Sequence, residues 1–345
     1  MYKSRLSREN GNYVATIAEA SLSLKSPSQV TTFYHPRTMK SIVPALLFST
    51  LAVATPTRRS TTDTSTDVDD VIAGRKPCAS SAVVFGRGTF DSGNIGVWTG
   101  PQFKEALVEE LDGDVHFQGV NREKYPANLD GYAREGGSES CADACAELVE
   151  GYAEKCAEAK IFVSGWRFVA MHIYYRFFTQ DSLTNHSQGA LCAHKCVNRV
   201  KTSQLAGLVV FGSENDLMDN PSPIPANLPY APYCNEDNAA PDLLCTETWT
   251  SGIDLPDSPS ELTSMIQSSL SSLKSIAKNE EQRRAALQLP LDMAAGIVKN
   301  AGYIAKDILQ GKVRKWLVLL PHFEYATKGY TDEAAVWVAG QVKGQ

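Results

Sequence analysis

The chain has 345 residues, 33 Lys plus Arg against 39 Asp plus Glu, a net charge of -6 at pH 7, and 43% hydrophobic residues. The acidic balance without a basic cluster argues against a nucleic-acid partner. The length is enough for a full hydrophobic core.

Residues 1–38 are polar and unpatterned. Met39-Lys40 then opens a positive start, an apolar run from Ile42 to Leu51 and an Ala52-Val53-Ala54 exit, the pattern of a secretory signal. The expected start is Met39, with 1–38 a mis-annotated, untranslated leader and 39–54 a signal peptide cleaved after Ala54. The apolar run is too short to span a bilayer. Arg58-Arg59 is a dibasic processing site, and residues 55–75, rich in Thr, Ser and Asp, read as propeptide or disordered linker. The functional domain is expected over 76–345, secreted and extracellular, acting as a monomer.

Apolar, β-branched runs at Ala82–Phe85, Val115–Val120, Ile161–Ser164, Leu208–Phe211 and Val313–Leu320 predict strands buried on both faces. Helical patterns fall at Pro101–Leu111, Glu139–Lys155, Gln188–Lys201 and Thr331–Val342. The alternation predicts a three-layer α/β/α sandwich around a parallel sheet of about five strands, with right-handed crossovers.

One motif is divided. Gly165-Trp166 ends a buried strand, and Ser187-Gln188-Gly189 opens a helix; joined, they give G-x-S-x-G, the strand–elbow–helix that exposes a nucleophilic serine in α/β-hydrolases. Arg167–His186 has no place in such an elbow and reads as a translated intron. Reverse translation supports this: Arg167 with Phe168 and Val169 can spell AG|GTTTGT, Leu183-Thr184 can contain CTAAC, and His186-Ser187 can be CACAG|C. Excision rebuilds a serine codon and keeps the frame. A genuine loop insertion is the bland alternative. Asn185-His186-Ser187 is also the chain's only glycosylation sequon, two residues from that nucleophile.

Eight cysteines in an exported chain suggest disulfides. Cys78 opens the first strand, Cys156 ends the helix before the nucleophile strand, and Cys234 and Cys245 bracket a short polar loop. The pairs Cys141/Cys145 and Cys192/Cys196 are each spaced i, i+4 on one helical face. Two facing helices could be cross-linked there twice, or the four thiols could hold zinc.

The motifs together resemble the cutinase family of secreted serine esterases. Gly86-Arg87-Gly88-Thr89 is similar to its oxyanion loop, followed by Gly93-Asn94-Ile95-Gly96 and Gly100-Pro101. Gln118-Gly119-Val120 and Tyr125-Pro126-Ala127 resemble a family motif that Arg122-Glu123-Lys124 interrupts here. The rejoined G-W-S-Q-G-A and Gly207–Gly212 fit the nucleophile strand and the strand after it. Cys234–Cys245 resembles the disulfide-closed acid loop, with Asp242 three residues before the second cysteine, and Pro321-His322-Phe323-Glu324-Tyr325 resembles the histidine loop. The resemblance implies bridges Cys78–Cys156 and Cys234–Cys245.

The chemistry asks for the same residues. A serine is activated by an imidazole that a carboxylate orients, in chain order serine, acid, histidine. Of six histidines, His35 precedes the signal, His172 and His186 lie in the suspect segment, His116 is in an early strand and His194 is about two turns along the helix after Ser187. His322 remains. Asp242 is favoured over Asp237 for the acid. The Gln188 N–H and the Thr89 N–H and hydroxyl are the candidate oxyanion donors; Thr89 as a plain turn residue is the alternative, and Arg87 braces that loop.

Residues 246–311 depart from the family. Ser258-Pro259-Ser260-Glu261 is a capping box before an apolar face of Leu262, Met265, Ile266, Leu270 and Leu273. A second helix runs from Asp292 to Gly311, with Met293, Ile297, Ala301, Ile304 and Ile308 on one face. Lid, substrate wall and structural decoration are all open readings. The expected activity is hydrolysis of carboxylic esters, of cutin polyester or acetylated polysaccharide, without metal or organic cofactor. An acetylxylan esterase and a catalytically inactive binding or elicitor protein are the alternatives.

Overall fold

The computed structural model describes residues 8–9, 12–13, 63–129, 138–167, 188–215, 221–237, 241–242, 244–246, 259–309 and 320–344. The chain divides into two units, Met1–Thr57 and Arg58–Gln345. In the first, Arg8–Glu9 pairs antiparallel with Asn12–Tyr13. The predicted signal, the dibasic site, Ser187 and residues 168–186 lie outside the described residues.

The second unit is built on five parallel strands in the order β2-β1-β3-β4-β5: β1 Ser81–Gly86, β2 Val115–Gly119, β3 Lys160–Trp166, β4 Leu205–Phe211 and β5 Tyr230–Tyr233. Period-two alternation sorts their side chains into two cores. Val83, Phe85, Phe117, Phe162, Val209 and Phe211 fill one face, against α2 (Gly100–Glu110) and α8 (Tyr330–Lys343). Val84, Ile161, Val163, Leu208 and Val210 fill the other, against α1 (Asp67–Ile72), α3 (Glu139–Lys155) and α4 (Gly189–Val197). The predicted three-layer sandwich is therefore the observed one.

Four strands fall where the apolar runs placed them. The fifth predicted strand, Val313–Leu320, lies outside the described residues except for Leu320, which opens a 3-10 turn, Leu320–Phe323. The fifth strand of the described sheet is β5, at the sheet edge, where Pro232 removes a backbone donor without breaking an interior ladder.

The expected linker is also corrected. Residues 63–72 belong to the packed unit: α1 buries Val68 and Val71, and Ser65 N–H donates to Asn94 Oδ1 at 2.8 Å. Three aspartates in the first turn suit a helix N-terminus while giving the segment the composition of a disordered one.

All eight cysteines are bridged, Cys78–Cys156, Cys141–Cys192, Cys145–Cys196 and Cys234–Cys245. The i, i+4 pairs thus staple α3 to α4 twice, and their sulfurs are committed to those bonds.

The segment before the histidine turn forms α5 (Pro259–Ile276), α6 (Glu280–Lys299) and α7 (Ala301–Leu309). The second predicted helix starts earlier than expected. Asn279 caps α6 by accepting from Gln282 N–H, and Pro290 is carried inside the helix. A break at Asn300 then separates α7. Ile266, Leu270, Leu273, Leu289, Met293 and Ile304 share the core of α2 and α8, so these helices are part of the body. Among the described residues no helix is long and apolar enough to cross a membrane.

Candidate active site

The strand order reverses between β1 and β3, and crevices outside the carboxyl ends of strands at such a point receive ligands. The candidate residues gather at that edge. Thr89 follows β1, Trp166 and Arg167 end β3, Gln188 precedes α4, Asp242 lies beyond β5, and His322 sits on the 3-10 turn.

His322 and Asp242 are joined. Nδ1 of His322 lies 2.5 Å from Asp242 Oδ2, and both side chains are buried. Asp242 Oδ2 also accepts from the Tyr325 hydroxyl at 2.6 Å, and Oδ1 accepts from Leu244 N–H at 3.0 Å. Burial alone would raise the Asp242 pKa; His322, Tyr325 and the Arg167 charge outweigh it and hold the carboxyl below its ordinary value. Burial and the Asp242 charge push the Tyr325 phenol up, so it stays a donor. The imidazole is stacked on the Trp166 indole, with centroids 5.7 Å apart, and the Trp166 Nε1–H donates to the His322 carbonyl at 3.3 Å. The Cys234–Cys245 bridge closes the loop that carries Asp242. Asp237, the rival acid, instead pairs with Lys328 at the surface.

The other ring nitrogen, Nε2, contacts the backbone carbonyl of Arg167. The residue directly after Trp166 therefore lies against the histidine. Its guanidinium is fully buried, 2.8 Å from Glu214 and with Nη1 donating to the Leu244 carbonyl at 2.5 Å. No simple signal exposed this pair, because both residues flank segments read as loop or insertion.

The strand end and the helix start meet. A Cβ on Gly189 would strike the carbonyl oxygens of Trp166, Arg87 and Gly86, and one on Gly165 would strike the Gly189 carbonyl. Only glycines permit this approach.

Thr89 is fully buried, and its hydroxyl has no hydrogen-bond partner among the described residues. Among the described residues, no backbone acceptor engages the Thr89 or Gln188 N–H. The Gln188 side chain donates to the Asn128 carbonyl. Arg87 braces the loop: Nε donates to the Asp91 carbonyl at 3.1 Å, Nη2 to the Tyr125 carbonyl at 2.8 Å, and the guanidinium lies 5.0 Å from the Tyr125 ring centroid. Phe90 (φ 61°) and Ala127 (φ 50°) take left-handed backbone and are joined by a 2.6 Å hydrogen bond, Phe90 N–H to Ala127 carbonyl.

The cutinase family model matches residues 77–253, just over half of the chain. The chain belongs to the cutinase family. Cutinase pbc1 of Pyrenopeziza brassicae is 32% identical over 151 residues, which is 43% of this chain and 63% of that protein. Cutinase 4 of Emericella nidulans is 32% identical over 149 residues, 43% of this chain and 54% of the relative. The matched region thus spans less than two thirds of either relative. A solved Trichoderma reesei cutinase bound to a phosphonate inhibitor aligns over 80% of this chain and 84% of its own, at 18% identity and a TM-score of 0.41. The family match ends before α5, so the three inserted helices and His322 lie beyond it.

Proposed function

We propose that this cutinase-family chain is a carboxylic-ester hydrolase working through an acyl-serine intermediate, with Ser187 as nucleophile, His322 as base and Asp242 as its orienting acid. The observation that carries the reading is the contact of His322 Nε2 with the residue directly after Trp166. In a chain without Arg167–His186 that residue is Ser187, and Gly189 already lies against the Trp166 carbonyl, so the two halves of the elbow are already adjacent.

The chemistry follows. His322 takes the serine proton as the hydroxyl attacks the ester carbonyl, and Asp242 stabilises the imidazolium and fixes its tautomer. The Gln188 N–H and the Thr89 N–H and hydroxyl supply donors for the oxyanion; their lack of partners among the described residues supports that role. The alcohol leaves with the histidine proton, and water, activated by the same base, releases the acid. The substrate proposed is cutin-like polyester, on the strength of the family. Four disulfides support export to an oxidising compartment.

The test is a serine-directed phosphonate together with p-nitrophenyl butyrate turnover, on a chain lacking Arg167–His186. Labelling should map to Ser187, and His322→Ala should fold normally while losing turnover by several orders of magnitude. Near-native hydrolysis by His322→Ala would remove this assignment.

A further inference from the structure

We propose that a cavity beside the Thr89 loop is a binding subsite for a carboxylate carried by the substrate. The cavity has a volume of about 350 Å3 and lies between the loop after β1, the Pro126–Leu129 segment and α6. Its charged lining is Arg87, Asp91 and Arg122 on one side and Asp292 and Lys299 on α6, three cations against two carboxyl groups.

The case rests first on Arg87. Only 1% of it is exposed, and with Nε and Nη2 committed to the Asp91 and Tyr125 carbonyls, its Nη1 is buried without a hydrogen-bond partner. An unused charged donor is costly to bury. Burial weakens the guanidinium's hold on its proton more than Tyr125 and Asp91 strengthen it, and the nearby Arg122 charge acts with burial. An oxyanion between the two arginines would satisfy Nη1 and offset their repulsion, and the planar fork of a guanidinium suits a carboxylate.

The second argument is where the lining comes from. Arg122 belongs to the run that interrupts the family-like motif before Tyr125, and Lys299 and Asp292 belong to the inserted helices. Two separate departures from the family pattern converge on one cavity. That cavity also borders the proposed reaction site: Phe90 in its wall follows Thr89, and Asn128 in its wall accepts from the Gln188 side chain. The inference deepens the ester-hydrolase reading on which it rests, since it selects esters with a carboxylate near the scissile bond, in a diacid half-ester or an acidic sugar.

The test is calorimetric titration of the full chain with glutarate, glucuronate and uncharged glutaramide. At least one anion should bind about tenfold more tightly than glutaramide, and the preference between the two anions identifies diacid or sugar acid. Arg122→Ser, at an exposed position, should weaken the anion on the order of fivefold. Asp292→Asn, which removes a facing negative charge, should tighten it, and added salt should weaken it. Equal binding of anion and amide, or selectivity that neither substitution moves, overturns the subsite. Phosphonate labelling of Ser187 plays no part in the titration, so failure of the subsite and failure of the ester-hydrolase reading are separately visible.

Discussion

Asp242 is held by His322 and Tyr325, which differ in how they appear in sequence. Its spacing to Cys245 and the position of His322 after it were enough to select both. Tyr325 was visible only as part of a motif, with no role, because a phenol three residues beyond a histidine has no chemical signature until the turn is folded. We expect Tyr325→Phe to cost about 1.5–3 kcal/mol at neutral pH, the range for a hydrogen bond to a charged group. Urea denaturation measures it; no change would mean Asp242 does not depend on the phenol. Asp91 had no signal at all. Burial raises its pKa to about 7, against the opposing pull of the Val97 and Ser92 N–H donors and Arg87. A carboxyl raised in the fold binds more protons folded than unfolded, so stability falls as pH rises from about 4 toward 7. Its contribution is complete below the unfolded value and lost above the folded one. Asp91→Asn keeps an acceptor for those two N–H groups but cannot ionise. Its stability relative to the parent should therefore rise between pH 5 and pH 8, at most about 1.4 kcal/mol per pH unit. A constant difference across that window would contradict a raised Asp91.

The inserted helices are the least family-like elements, lying beyond the family match. Gln282 in the first turn of α6 donates to the Val97 carbonyl at 3.0 Å, and Gly296 packs directly on Leu129 and Phe90. Ala285 and Leu289 of α6 share a small apolar pocket with Thr89, Trp98, Trp166 and Phe323. Because the helices are built into the core, a substrate wall fits their packing better than a detachable lid. Leu289→Ala should cost about 2–5 kcal/mol by leaving a cavity, and should raise turnover of long-chain relative to short-chain p-nitrophenyl esters. An unchanged ratio would make α6 structural only. The register of α6 was hidden in the sequence by Pro290, which reads as a breaker, whereas its packed neighbours Leu289 and Met293 keep the helix in place. The first four strands were legible because both faces are buried, leaving unbroken apolar runs. β5 was not, because four residues with a proline at a sheet edge carry no such run.

The fold as a whole brings together two places that the sequence separates. Gly86, Gly165 and Gly189 meet at the reversal of strand order, so β3 and α4 join as a nucleophile elbow would join them. The position after Trp166 is held by Arg167, whose carbonyl contacts His322 Nε2, the nitrogen that the proposed mechanism needs for the serine proton, and whose guanidinium is buried against Glu214. The full chain should therefore be nearly inactive on p-nitrophenyl butyrate, and the chain without Arg167–His186 active; misplacing a catalytic group by even about 1 Å can cost about 10²-fold. Equal activity would show that Arg167–His186 is a well-accommodated loop. Glu214 gives an independent readout. Excision removes the buried cation opposite it, and breaking a buried pair from one side costs about 3–5 kcal/mol. Glu214→Gln should then raise the thermal midpoint of the excised chain but lower that of the full chain, where it removes the carboxylate paired with the buried Arg167 guanidinium. Shifts of the same sign in both would mean that the Arg167–Glu214 pair is not what couples the two segments, and that the excised elbow relaxes around Glu214 by other means.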